Sequence, residues 1–126
     1  MREIKFRGKR LDNGEWLYGS LVILNGRYFI FDDANRHEVD PTTVGEFTGL
    51  KDKNGKEIYE GDVIRSPLSE DKTRPHRIFY HTGNAAFMGA LVDRKELCYL
   101  RLDQDWIYKF GKEVIGNIHD NPELIK

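Results

Sequence analysis

The side chains that could do chemistry are few and scattered. The chain has four histidines, His37, His76, His81 and His119, and a single cysteine, Cys98. His76 and His81 lie five apart in a run that alternates like a strand. An odd separation on a strand points the two rings to opposite faces, so they do not share a metal. Asp32, Asp33 and His37 are close enough in sequence to gather round a divalent ion, but a solvated polar loop accounts for them more simply. Without a cysteine pair there is no zinc-ribbon pattern. Cys98 sits between Leu97 and Tyr99, where a free cysteine is usually core filler rather than a nucleophile. Ser20, Ser66 and Ser69 lack a nucleophile-elbow context. Two carboxylate pairs, Glu60 with Asp62 and Asp103 with Asp105, have the two-residue spacing that shares one strand face. Acid–base work would need their pKa values separated by a cleft, and turn-forming acids explain both pairs. Gly83, Gly89 and Gly111 are isolated, so no glycine-rich phosphate cradle joins a strand to a helix. The expectation is a chain without catalytic residues, metal or cofactor, hence not an enzyme.

The cations carry the one functional signal with a physical basis. Lys5, Arg7 and Lys9 alternate along the first segment and project from one face. Lys51, Lys53 and Lys56 crowd one turn, and Arg65, Lys72, Arg74 and Arg77 flank a polar stretch. Clustered cations bind phosphate and neighbouring aromatics stack bases. Yet Glu3, Asp52, Glu57, Glu70 and Asp71 are interleaved with them, as on an ordinary solvated face. The net charge is −1, from 20 basic and 21 acidic residues, so no global field draws the chain to nucleic acid or to an anionic membrane.

The elements that position these residues read mainly as β-structure. With 126 residues and 12% aromatics the chain is long enough for one core and too aromatic for disorder. Residues 2–10 alternate, Ile4 and Phe6 one way and the cations the other, which predicts a half-buried strand. Asn13-Gly14 and Asn25-Gly26 are hairpin signals. Between them, residues 15–24 carry Trp16, Tyr18 and Val22 on one face and Leu17, Leu21 and Ile23 on the other, as if covered on both. With residues 27–31 they predict a three-stranded meander. Residues 32–43 read as a loop and 44–50 as a short strand. Asn54-Gly55 makes a further turn, with Ile58, Val63 and Ile64 inside and a bend at Gly61-Asp62, where Asp62 is expected to bond the local backbone. Residues 66–75 read as a surface loop, 76–81 as a strand, and 82–84 as a turn. Residues 85–92 read as a central strand, with a helix over 87–97 as the competing reading. Strands at 96–102 and 112–118 follow, and Asn121-Pro122-Glu123 opens a short helical turn.

Three stretches resemble the YopX family of phage and prophage proteins. They are Arg2-Glu-Ile-Lys-Phe-Arg7 with Gly14-Glu-Trp-Leu-Tyr-Gly19; the long run Asp40-Pro-Thr-Thr-Val-Gly-Glu-Phe-Thr-Gly-Leu-Lys-Asp-Lys-Asn-Gly-Lys-Glu-Ile-Tyr-Glu-Gly-Asp-Val-Ile64; and Val114-Ile-Gly-Asn-Ile-His-Asp-Asn-Pro-Glu-Leu124. The resemblance implies a phage-associated, mainly β protein that self-assembles, and it carries no catalytic role to any residue. A motif surface built from Thr48, Gly49, Asp52, Asn54, Gly55, Glu60, Gly61 and Asp62 is the region it singles out.

These readings combine into one domain over residues 1–126. Its first half, 1–57, is an antiparallel meander with the motif hairpin, and its second half, 58–126, resembles a small SH3-like barrel ending in a helical turn. The expected function is a non-enzymatic interaction or assembly module in the bacterial cytoplasm, with a homo-oligomer and a phage or host protein as partners. The alternatives are a nucleic-acid-binding β barrel using Lys5, Arg7 and Lys9, and an enzyme with an unrecognised site. The lone cysteine fits a reducing compartment, and neither a signal-peptide core nor a run of about 20 apolar residues is present for a membrane.

Overall fold

The structure, a computed structural model, describes residues 2–33, 35–66, 75–92 and 99–125. Most of the expected loop at 66–75, with Lys72 and Arg74, and the stretch 93–98 with Cys98 lie outside the described residues. The chain divides into two compact units, Met1–Gly49 and Leu50–Lys126.

Unit 1 is a rolled antiparallel meander. Its strands are β1 (Phe6–Lys9), β2 (Trp16–Leu24), β3 (Arg27–Asp32), β4 (Asn35–Val39) and the start of β5 (Gly45–Lys51), hydrogen-bonded in the order β4-β3-β2-β1-β5. The turn between β2 and β3 is Asn25-Gly26, both at positive φ (52° and 76°), the backbone of a two-residue type I′ hairpin. Pairing continues to the hairpin's last residues, Leu24 opposite Arg27. The end of β4 returns to the end of β1: Arg10 bridges Val39, Leu11 N–H donates to the Glu38 carbonyl (3.1 Å), and Asp40 N–H to that of Lys9 (2.8 Å). Rolling encloses Ile30 and Val39, both fully buried, and the absence of a side chain at Gly8 makes room for Val39.

Three expectations need correction here. Residues 32–43 are not a loop. Asp33 turns the chain at φ 47°, β4 pairs with β3 from Tyr28–Val39 to Asp32–Asn35, and Pro41–Thr43 form a 3₁₀ turn capped by Asp40, which accepts from Thr42 N–H. The polar sequence of β4 hid it, because an outer strand needs no apolar alternation. β2 is not covered on both sides, since Tyr18, Ser20, Ile23 and Leu24 are exposed. Ile4 lies before β1 and faces water rather than the core.

Unit 2 holds β6 (Glu57–Tyr59), β7 (Asp62–Arg65), β8 (His76–His81), β9 (Ala86–Leu91), β10 (Tyr99–Arg101), the helix α1 (Gln104–Lys109) and β11 (Glu113–Asn117), followed by a 3₁₀ turn at Pro122–Ile125. Its antiparallel sheet runs β10-β9-β8-β7-β11. Residues 86–91 are therefore the central strand that the sequence suggested, and the mainly β reading holds. The SH3-like barrel does not: among the described residues the five strands form an open sheet. The core is Ile58, Ile64, Ile78, Leu102 and Ile107, with Leu50, Phe87, Trp106 and Val114 against it. Burying each of these large aliphatic side chains contributes about 2 kcal/mol. The helix went unread because six residues are too short to show a period. Asp103 caps it by accepting from Trp106 N–H (2.7 Å), so this acid is spoken for by backbone, and Ile107 is its buried contact.

Candidate interaction surface

The motif residues are architectural. Asp52 is 1% exposed, and its carboxylate accepts three backbone N–H groups: Oδ1 from Asn54 (2.8 Å) and Lys56 (2.9 Å), Oδ2 from Val114 (3.0 Å). Asn54 and Gly55 complete the turn, Gly55 N–H donating to the Asp52 carbonyl (3.0 Å). A buried carboxylate is tolerated because donors replace its water. Asp62, also buried, accepts from Tyr59 N–H (2.8 Å), the local bond expected of it. Gly61 has φ 90°, donates to the Ile78 carbonyl and accepts from Ile118 N–H, both at 2.9 Å. Its backbone thus ties the turn before β7 to β8 and to the residue after β11. Glu60 beside it is half-buried. In unit 1, Thr48 is buried in β5 and Gly49 is exposed at φ 85°. The bends in this motif position strands and give the buried Asp52 three N–H donors and Asp62 one.

The titratable groups weighed for catalysis are similarly occupied. His76 is buried and meets the Trp106 ring edge-on at 5.7 Å, while Lys112 lies over the same ring at 4.7 Å. His81 accepts from Asn84 N–H at the turn after β8. Among the described residues, no three His, Cys, Asp or Glu side chains gather as a metal set, the Asp32, Asp33 and His37 group included. No helix among them is long and apolar enough to cross a membrane.

The three alternating cations in and just before β1 lie on aromatic rings. Lys5 Nζ is 5.1 Å from the Phe47 ring centre and 3.5 Å from Glu3. The Arg7 guanidinium is 4.6 Å and Lys9 Nζ 5.4 Å from the Trp16 ring. Arg7 is 5% exposed, so it is packing rather than a solvated handle.

Register extends this cationic, aromatic face across the sheet. Arg7 pairs with Tyr18, Ser20 with Phe31, Val22 with Phe29, Phe29 with Glu38 and Phe31 with Arg36. Cross-strand partners share a face, so this outer face continues through Tyr18, Phe31 and Phe29 to Arg36, while Ile30 and Val39 point inward. Arg27 and Arg36 approach the same Phe29 ring at 5.4 and 5.5 Å. Arg27 also holds Glu38 through two bonds (2.6 and 3.1 Å), which keeps the Glu38 carboxyl below its usual range and raises Arg27. Tyr18, Arg27 and Arg36 are exposed, and Phe29 and Phe31 half-buried. At the tip of the same hairpin Ile23 and Leu24 are 52% and 51% exposed, on opposite faces. Sequence reasoning missed Arg27 and Arg36 because only β3–β4 pairing brings them to one ring.

Comparison with known proteins agrees with this architecture. A family model described as YopX protein matches residues 5–126. The crystal structure of protein EF1440 from Enterococcus faecalis is similar over 100% of both chains, with 27% sequence identity and a TM-score of 0.66. No curated protein matches.

Proposed function

We propose that this chain, which belongs to the YopX family, is a non-enzymatic interaction module of a phage or prophage, and that it associates with further copies of itself through the tip of the β2–β3 hairpin. The observation that carries this reading is the pair Ile23 and Leu24, held half in water on a tip whose backbone is paired to its final residue. Because the two side chains point to opposite faces, no tilt of the hairpin against its own sheet covers both. A second molecule does. Asp62 and Asp103, one from each carboxylate pair whose spacing suits acid–base work, accept backbone N–H bonds.

Sedimentation velocity over a wide concentration range tests it. The unaltered chain is expected to shift reversibly to larger species as concentration rises. The double variant Ile23→Asp/Leu24→Asp is expected to stay monomeric with an unchanged circular dichroism spectrum. A chain that sediments as a monomer throughout, or association indifferent to the double variant, would overturn the proposal.

A further inference from the structure

The outer face of β2–β4 presents Arg27 and Arg36 with Glu38 between them; the Arg27–Glu38 ion pair cancels, and Arg36 is left as the net positive charge. Lys9 of β1 lies on the same face, as does Lys5 just before the strand, beside Glu3. This happens in a chain whose net charge is −1, so the positive surface is local. Its complement is an anionic polymer.

The rings decide which polymer. Phe29 and Phe31 are two apart on β3, so their positions are about 6.7 Å apart along the strand. Tyr18 stands diagonal to Phe31 across the β2–β3 pair, about 7–8 Å away. The three make an oblique row with a step close to the repeat of an extended nucleotide chain. The Arg36 guanidinium over the Phe29 ring supplies both a plane and N–H donors at the end of that row. We infer that the outer face of β2–β4 binds single-stranded nucleic acid, its bases stacking on Tyr18 and the Phe29–Arg36 pair and its phosphates meeting Arg36 and the neighbouring cations. An acidic peptide would satisfy the charge and leave the rings unused. A duplex would hide the base faces that the rings need. This goes beyond the self-association reading and uses other residues, since the hairpin tip is not part of the row.

Fluorescence anisotropy of a labelled oligothymidine with the full chain at low salt tests the inference. Binding is expected to weaken as salt rises. Arg36→Gln should flatten the log–log salt slope by about 0.7, the value for one phosphate contact on a single strand. Tyr18→Ala should weaken binding about tenfold while leaving that slope unchanged. No binding at low salt, equal competition by polyglutamate, equal affinity for duplex, or indifference to both variants would each overturn it. The hairpin-tip variant separates the two proposals. If association through the tip persists while the oligonucleotide stays unbound, only this inference falls. If the oligonucleotide binds a chain that never associates, only the previous one does.

Discussion

Unit 2 builds an aliphatic core, although Ile125 and the rings of Tyr80, Tyr108 and Phe110 stay exposed. Ile58, Val63, Ile64, Ile78 and Ile107 are at most 1% exposed, and α1 supplies one of them. Unit 1 has strands of similar length and no α-helix among its described residues, and only Ile30 and Val39 reach that level while Ile4, Leu11, Tyr18, Ile23 and Leu24 stay in water. The units also place charge differently. Cations lie on rings in both units, but unit 2 also buries the carboxylates of Asp52 and Asp62 against backbone N–H donors, whereas unit 1 brings two exposed arginines, Arg27 and Arg36, to one ring. The difference teaches where each unit's sequence is committed. In unit 2 the polar residues are part of the framework. In unit 1 the framework is a thin roll, and the side chains outside it are available for contact.

The largest expected effect is at Asp52. Asp52→Ala strands three backbone N–H groups and should destabilise unit 2 by about 4 kcal/mol, seen as a lower denaturant midpoint with faster hydrogen exchange at the amides of Asn54, Lys56 and Val114. Asp52→Asn should cost about half of that, since one amide oxygen still serves the turn while its NH₂ opposes Val114. A loss under 1 kcal/mol for Asp52→Ala would break the comparison, because the buried acid would then be dispensable. Gly19→Ala probes unit 1 at comparable depth. The new methyl would point into the carbonyl of Phe31 across the β2–β3 pair, and the strands must part, at about 2 kcal/mol. Exchange should rise at β2 and β3 and not in unit 2. The smallest effect concerns pH. Glu38 is held below the ordinary glutamate value by Arg27, so its contribution is complete above the unfolded value and disappears as pH falls through the depressed folded one. The pair is exposed, so the change is small and fades with salt. Melting curves of the unaltered chain and Glu38→Gln should converge as the pH drops through that window. A gap that widens on acidification would reverse the sign of the argument.

Much of this was legible in the residues. Alternation gave β1 and β8, the hairpin signal at Asn25-Gly26 gave its turn with β2 and β3 on either side, and the bend at Gly61 came with the side-chain bond assigned to Asp62. Local chemistry of that kind acts within a few residues and is written in short motifs. β4 was not legible, because Arg36, His37 and Glu38 form a strand only by leaning on β3, and α1 shows no period in six residues. The surface was least legible. Arg7 read as a solvated cation until its burial against Trp16 was seen, and Phe29 acquires Arg36 through register, which no local pattern encodes.

Val114 follows Asp52 by 62 residues. At a translation rate of about 5–20 residues per second, the nascent carboxylate stays hydrated for several seconds before its last donor leaves the ribosome. The motif turn can close early with the two nearby amides, but the edge strand β11 locks it only once Val114 has been made. Chaperones that hold open sheet edges would therefore find unit 2 as a client longer than its stability alone suggests.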